Sequence, residues 1–273
     1  MSGFELRLDD LRVEGASRAG DRTWFRVHPP GLAFDVGRGA LALTGAEHLF
    51  ISHGHLDHSL GLPFILSNRT MQELPPARVY CPAATVPALE ALVEAAAALA
   101  EETYAYEIRG LEPGDRVDVG RGLAVEAFAV EHGVETLGFH LLRRRKKLLA
   151  EHRDKSGAEL AELRRRRVAV EAVSEEIRVT YCGDTGARVF ELEPRLFLAE
   201  VLLLECTFLA SGEDDRAARY GHLHLSDLER QADRFANRAI VLHHLTRRHS
   251  LAELRCAVDE RLPGLAARIH LAG

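Results

Sequence analysis

His53, Gly54, His55, Leu56, Asp57 and His58 spell H-x-H-x-D-H. Imidazole nitrogen and carboxylate oxygen are the donors that hold zinc-like divalent cations, and this run supplies enough of them for two adjacent ions. In extended chain, side chains alternate, so His53 and His55 point the same way. Asp57 and His58, in the turn that follows, then face a second ion. The apolar run Leu49-Phe50-Ile51 just before the cluster reads as a strand that delivers ligands at its C-terminal end. Other candidate ligands also close apolar runs. His132 follows 123–130, Asp184 follows Val179-Thr180-Tyr181-Cys182-Gly183, and His243 and His244 follow 239–242.

The elements that must position these groups are legible in outline. Short strands joined by Gly-rich turns are expected at 4–8, 11–14, 23–27, 31–36 and 48–51. Residues 82–102, rich in Ala, Leu and Glu, predict a helix with Pro87 in its first turn. Strands follow at 103–108, 116–119, 123–130, 137–142, 177–182 and 199–205. Helices are expected at 226–235 and 250–262, with a buried strand at 239–242 between them. Strands first, then alternating strand and helix, suggest two sheets covered by helices. With 273 residues, 47% of them hydrophobic, the chain suffices for one large domain with a dense core.

Charge is unevenly spread. Residues 141–178 hold twelve Lys and Arg against seven acids, a net of +5, so the remainder carries −6 − 5 = −11. This segment reads as a charged surface excursion, with helix-forming composition at 157–168, and in functional terms as an inserted arm for a polyanion. No run approaches the roughly 20 apolar residues of a membrane span. Glu5, Asp9 and Asp10 argue against an N-terminal signal peptide. Cys81, Cys182, Cys206 and Cys256 form no C-x-x-C pair, which suits reduced thiols in a cytoplasm.

On these residues the chain resembles the metallo-β-lactamase-fold hydrolases and, within them, the tRNA 3′-processing endonuclease ribonuclease Z. Phe34-Asp35-Val36-Gly37 precedes the histidine cluster and Gly61-Leu62-Pro63 follows it. His132 has Gly138-Phe139 six residues on. Gly183-Asp184-Thr185, Glu205-Cys206-Thr207-Phe208 and His244-Leu245-Thr246-Arg247-Arg248 complete the set, the last similar to a closing H-x-S-x-R. The resemblance implies one α/β domain over 1–273, a four-layer αββα sandwich of two mixed sheets. It assigns His53, His55 and His132 to one ion, Asp57, His58 and His244 to the other, and Asp184 as a bridge. Zn²⁺ is the implied metal, Mn²⁺ an alternative. Two such ions lower the pKa of water from ~15.7 to about 7. Asp35 becomes an acceptor that fixes a ligand imidazole, and His243 points to the opposite face. Asp57 also orients or deprotonates the attacking water. Glu205 pairs with the histidine that protonates the leaving 3′-oxygen. His224 is favoured for that role because His-Leu-Ser looks like the family's His-Ser-Thr; His222 is the other candidate. The family further implies a homodimer in which one subunit's arm serves the other's active site.

Three departures bear on substrate. Residues 14–22 keep a basic loop but not the family's P-x-K-x-R-N motif. The arm lacks a Gly-Pro-rich tip and carries Arg143, Arg144, Arg145, Lys146, Lys147, Arg164, Arg165, Arg166 and Arg167 as RNA-binding candidates. Thr246 and His249 replace Ser and Tyr. Metal-dependent cleavage of RNA, in particular precursor tRNA, is the leading expectation. Hydrolysis of small or cyclic nucleotide diesters is the alternative. Amide or thioester hydrolysis ranks lower, because Glu131-His132-Gly133-Val134 lacks the G-H-T of those branches, and a non-catalytic RNA binder ranks last.

Overall fold

The computed structural model describes residues 3–273. Its first sheet is built in chain order from β1 (Phe4–Leu8), β2 (Leu11–Arg18), β3 (Arg22–His28), β4 (Leu32–Phe34), β5 (His48–Phe50), β6 (Ala77–Pro82) and β7 (Tyr106–Leu111). The strands run antiparallel as far as β4 and parallel beyond it. Helices α1 (Leu56–Ser59), α2 (Leu62–Met71) and α3 (Val86–Ala100) lie in the parallel half of the chain order. The second sheet holds β8 (Arg116–Gly120), β9 (Leu123–Ala129), β10 (Leu137–Leu148), β11 (Glu171–Tyr181), β12 (Val201–Glu205), β13 (Ala239–His243) and β14 (Ile269–Leu271), again in sequential order. It too switches from antiparallel to parallel, at β11. Five helices belong to this half: α4 (Gly157–Arg165), α5 (Val189–Leu192), α6 (Asp214–Tyr220), α7 (Leu225–Arg230) and α8 (Leu251–Arg261).

Period-two alternation sorts the strand residues between layers. Phe34 and Phe50 point into the space between the sheets, where Phe139 and Tyr181 meet them. The Phe34 ring stacks 5.3 Å from Tyr181 and 5.9 Å from Phe139. Their neighbours Ala33 and Leu49 face outward, onto Leu62, Ile65, Leu89 and Val93 of α2 and α3. On the other sheet Leu203 and Val241 point inward, while Leu202 and Ile240 join Leu254 and Val258 of α8. Two outward faces and one shared inner face make the αββα sandwich. Each buried aromatic or aliphatic side chain contributes about 1.5–3 kcal/mol by leaving water.

Several boundaries differ from expectation. The predicted helix over 82–102 begins with a 3-10 turn, Ala83–Thr85, and Pro82 closes β6 instead. The helix predicted over 226–235 breaks after Arg230 into a 3-10 turn, Ala232–Arg234. Helices α2 and α6 and strands β6 and β14 were not anticipated. Contrary to the membrane expectation, Ala83–Ala100 is long and apolar enough to cross a bilayer by length and composition. In the fold, however, Leu89 and Val93 are buried against the first sheet and Glu90 and Glu94 are exposed, as in an outer-layer helix.

The basic segment is a hairpin. β10 and β11 pair from Phe139↔Tyr181 out to Leu148↔Glu171, well past the last β9 partner of β10, Arg143↔Leu123. The excursion therefore begins near Arg144 rather than at 141. It carries α4 at its far end, started by a capping box between Ser156 and Glu159.

Candidate metal centre

Strand ends deliver the candidate ligands to one rim of the sandwich. Beyond β5 the chain passes through Ser52 and His53 to His55, the extended residue before α1 (φ −62°, ψ 144°), so that Asp57 and His58 fall in the helix's first turn. β11 runs into Gly183, whose φ of +62° favours glycine and whose hypothetical Cβ would press on the Ser52 Cβ at 3.0 Å. That turn presents Asp184. At the end of β13, His244 adopts φ +52°, which separates it from its neighbour. His243 is buried between Phe25 and Tyr181, with ring centroids at 5.4 and 5.3 Å.

Two clusters carry the expected ligands: His53, His55, His132 and Asp184, and beside it Asp57, His58 and His244. A third grouping, Asp184, His222 and His244, overlaps both, the donor atoms within each lying within 4.8 Å of one another. Asp184 sits between the first two. Its Oδ2 is 3.8 Å from His53 Nε2 and 4.0 Å from His132 Nε2 on one side, and 3.4 Å from His58 Nε2 and 3.3 Å from His244 Nε2 on the other.

Hydrogen bonds behind the rings decide which nitrogens face the site. Asp35 accepts from His58 Nδ1 at 2.7 Å, and the Gly221 carbonyl accepts from His132 Nδ1 at 3.1 Å. The Ser52 and Thr207 hydroxyls donate to Asp35 and Glu205, so each must accept from its histidine, His53 Nδ1 at 3.0 Å and His244 Nδ1 at 2.9 Å. All four rings therefore turn Nε2 inward. His53 Nε2, His58 Nε2 and Asp184 Oδ1 are buried without a hydrogen-bond partner. Burial, and then the neighbouring His58, push the His53 pKa down; burial and His132 do the same to His55. Burial would raise the Asp184 pKa, yet His244 and His58 hold it well below the usual carboxylate range. Burial would lower the His58 pKa, but Asp184 and Asp35 raise it well above its usual value, so a cation would displace its Nε2 proton. Neutral His53 and His55, an ionised Asp184 and orphaned buried lone pairs suit divalent cations.

Next to the clusters stands a carboxylate–imidazole pair. Glu205 accepts from His222 Nδ1 at 2.7 Å, and also from the backbone of Thr185 and Thr207. The His222 ring lies 5.1 Å from His132 and 5.0 Å from His244. Burial opposes its protonation, but Glu205 prevails and its pKa rises to about 9. His224 is not the partner of Glu205. Its Nδ1 meets the Ser226 hydroxyl at 2.8 Å and its Nε2 meets the Ala210 carbonyl at 2.9 Å, so it caps α7 with both nitrogens engaged. The expected pairing of Glu205 with His224 is therefore not found; the other candidate, His222, makes it.

Residues 38–245 match the beta-lactamase superfamily domain. The tRNase Z TRZ1 of Arabidopsis thaliana is 30% identical over 267 residues, covering 97% of this chain and 95% of that protein. The chain belongs to the ribonuclease Z family. A ribonuclease Z of Shouchella clausii is 32% identical, over 78% of this chain and 73% of its own. Among solved structures, the metallo-beta-lactamase fold protein YhfI of Bacillus subtilis superposes with a TM-score of 0.68 at 14% identity, over 97% of both chains. The short form of human tRNase Z gives 0.62 at 18%, over 95% of both. At such identities these two speak for the fold.

Within this ribonuclease Z family member, the arm's cations are less free than their number suggests. Arg143 pairs with Asp10, Arg144 with Glu175, Arg145 with Glu176, Arg164 with Glu171 and Arg165 with Glu162. Among the described residues, Lys147, Arg166 and Arg167 have no ion-pair partner; the Lys146 side chain lies outside the described part. Sequence reasoning missed Ser52, Thr207 and the Gly20 amide, which donates to Asp57 Oδ2 at 2.9 Å.

Proposed function

We propose that this chain is a metal-dependent endoribonuclease of the ribonuclease Z kind that removes the 3′ trailer of precursor tRNA, with two Zn²⁺ ions as cofactor. The carrying observation is the His222–Glu205 pair at 2.7 Å beside both ligand clusters. An alkoxide leaving group needs a proton, and an imidazolium braced by a carboxylate supplies one. When bound, the two cations ionise water near neutrality and neutralise charge developing on the phosphoryl group. Asp57, held by the Gly20 amide, orients the attacking water. As the bond from phosphorus to the 3′-oxygen breaks, His222 gives its proton to that oxygen. The upstream RNA keeps a 3′-hydroxyl and the trailer a 5′-phosphate. Glu205 keeps the imidazole aimed and stabilises its charged form.

The homodimer expected of the family is supported by an apolar surface on consecutive helices. Leu56 and Leu60 at α1, and Phe64 and Met71 on α2, are all exposed. The free thiols, three of them buried, support a reducing compartment such as the cytoplasm. The ion pairing along the arm favours a second reading, a phosphodiesterase for small or cyclic nucleotide diesters with little hold on tRNA.

The deciding assay is cleavage of precursor tRNA by zinc-loaded protein, with His55→Ala as control. A cut just after the discriminator base, lost in the variant, establishes the activity. Hydrolysis of bis(p-nitrophenyl) phosphate with the RNA left intact would retire the tRNA reading and keep the diesterase.

A further inference from the structure

A cleft of about 380 Å³ opens onto the candidate ligands His55, His132 and His244 and onto His222, and Phe208, Arg216 and Tyr220 also line it. None of these three has a part in the chemistry described above. The Arg216 guanidinium carbon lies 5.6 Å from the Phe208 ring centre and 5.8 Å from that of Tyr220. Arg219 lies 5.7 Å from the Tyr220 ring. Among the described residues, no ion pair or hydrogen bond engages either guanidinium, and Tyr220 is 52% exposed. An exposed aromatic ring among unpaired guanidinium groups, at the mouth of a site for a phosphodiester, has the composition of a surface on which bases stack.

The platform is also fixed in place. Phe208 is pinned from both sides by backbone bonds, its amide to the Leu223 carbonyl and its carbonyl to the Leu225 amide. Helix α6 ends at Tyr220 because Gly221 turns left-handed at φ +68°. The Gly221 carbonyl is the acceptor that holds His132 at 3.1 Å. Tyr220 is thus one residue from a direct brace on the candidate metal site.

We infer that Arg216 and Tyr220, backed by the buried Phe208, form a stacking platform for the base of the nucleotide that carries the leaving 3′-oxygen, the last one retained by the cut RNA. The inference rests on the RNA-cleavage reading. The choice of nucleotide follows from His222. It protonates the leaving oxygen, its ring lies 6.3 Å from that of Phe208, and it follows Tyr220 by two residues. Every base offers a π face, so the platform selects for the presence of a base rather than its identity.

The test is a cycle with two RNAs and two proteins. One precursor tRNA carries a normal base at the last retained nucleotide, and its twin is abasic there. The wild type should lose about tenfold or more in kcat/KM on the abasic RNA. Tyr220→Ala should lose a similar factor on the intact RNA and little further on the abasic one, since the two removals delete one contact. Tyr220→Phe should behave as wild type, and circular dichroism melting checks that Tyr220→Ala is folded. Equal loss by Tyr220→Ala on both RNAs overturns the platform, as does a wild type indifferent to base removal. If the wild type cuts neither RNA while hydrolysing bis(p-nitrophenyl) phosphate, the RNA reading fails and the platform falls with it.

Discussion

Thr207 donates its hydroxyl proton to Glu205 and accepts from His244, while Glu205 also holds His222. One buried carboxylate therefore orients both a candidate ligand and the proton donor. This arrangement assigns distinct outcomes to the two histidines of Gly221-His222-Leu223-His224. His222→Asn should lower kcat on RNA by about 10²–10⁴-fold. It should change bis(p-nitrophenyl) phosphate hydrolysis far less, because p-nitrophenolate departs without a proton. His224→Ala should leave kcat within a few-fold and lower stability by about 0.5–2 kcal/mol, the worth of a lost helix cap, read from urea midpoints. The opposite pattern would return the donor role to His224. The ligand set was legible because four donors crowd into six residues and the others close apolar runs. The choice between His222 and His224 was not, since it depends on whether α7 takes up the imidazole as a cap. Thr207 and Ser52 were equally hidden, because a hydroxyl gains its role only from the carboxylate that the fold places beside it.

At the scale of elements, the arm shows how a charge count misleads. β11 places Glu175 and Glu176 across from Arg144 and Arg143 of β10, so part of the arm's positive charge is neutralised within the hairpin. Surface pairs of this kind are each worth little to stability, but they cancel the local field that would attract RNA. Arg166→Ala combined with Arg167→Ala should weaken RNA binding and reduce its dependence on salt, whereas Arg144→Ala should change both only slightly. Binding isotherms over a range of salt concentrations read the difference, and a larger effect of Arg144→Ala would refute the ordering. Helix α4 was legible from composition. The outer halves of β10 and β11 were not, because both of their faces meet water and leave no apolar alternation. Ion pairs also tie the arm's root to the body: Glu175 to Arg116, Arg116 to Glu126, Glu126 to Arg195, and Arg195 to Glu193. Burial pushes the Glu193 pKa up, but the His140 imidazole 3.6 Å away and hydrogen bonds from Arg195 outweigh it and bring it to about 2. Its folded pKa lies below its unfolded one. The stability it contributes is therefore present above about pH 4.5 and is lost as pH falls toward about 2. Glu193→Gln should flatten the acid side of the stability profile across that window; parallel curves for variant and wild type would count against it.

For the whole molecule, the two-sheet architecture was legible mainly through family resemblance, since strand order cannot be read from alternation alone. β6, α2 and β14 went unread because runs of three to ten residues hold too few repeats to separate helix from strand. The exposed face of α1 and α2 belongs to this scale too. Phe64→Glu should shift sedimentation from dimer to monomer, and a wild type that already sediments as a monomer would remove the dimer from the proposal. Each sheet is a continuous half of the chain, the first ending with β7 and the second starting with β8. His53, His55, Asp57 and His58 come from the first half; His132, Asp184, His222 and His244 come from the second. Neither half owns a complete cation site, so bound ions act as a clasp across the seam between the sheets. Whatever strengthens the clasp resists separation of the halves, in proportion to the logarithm of free metal concentration above its dissociation constant. A chain nicked between β7 and β8, near Pro113, would then hold together or come apart according to the metal supply.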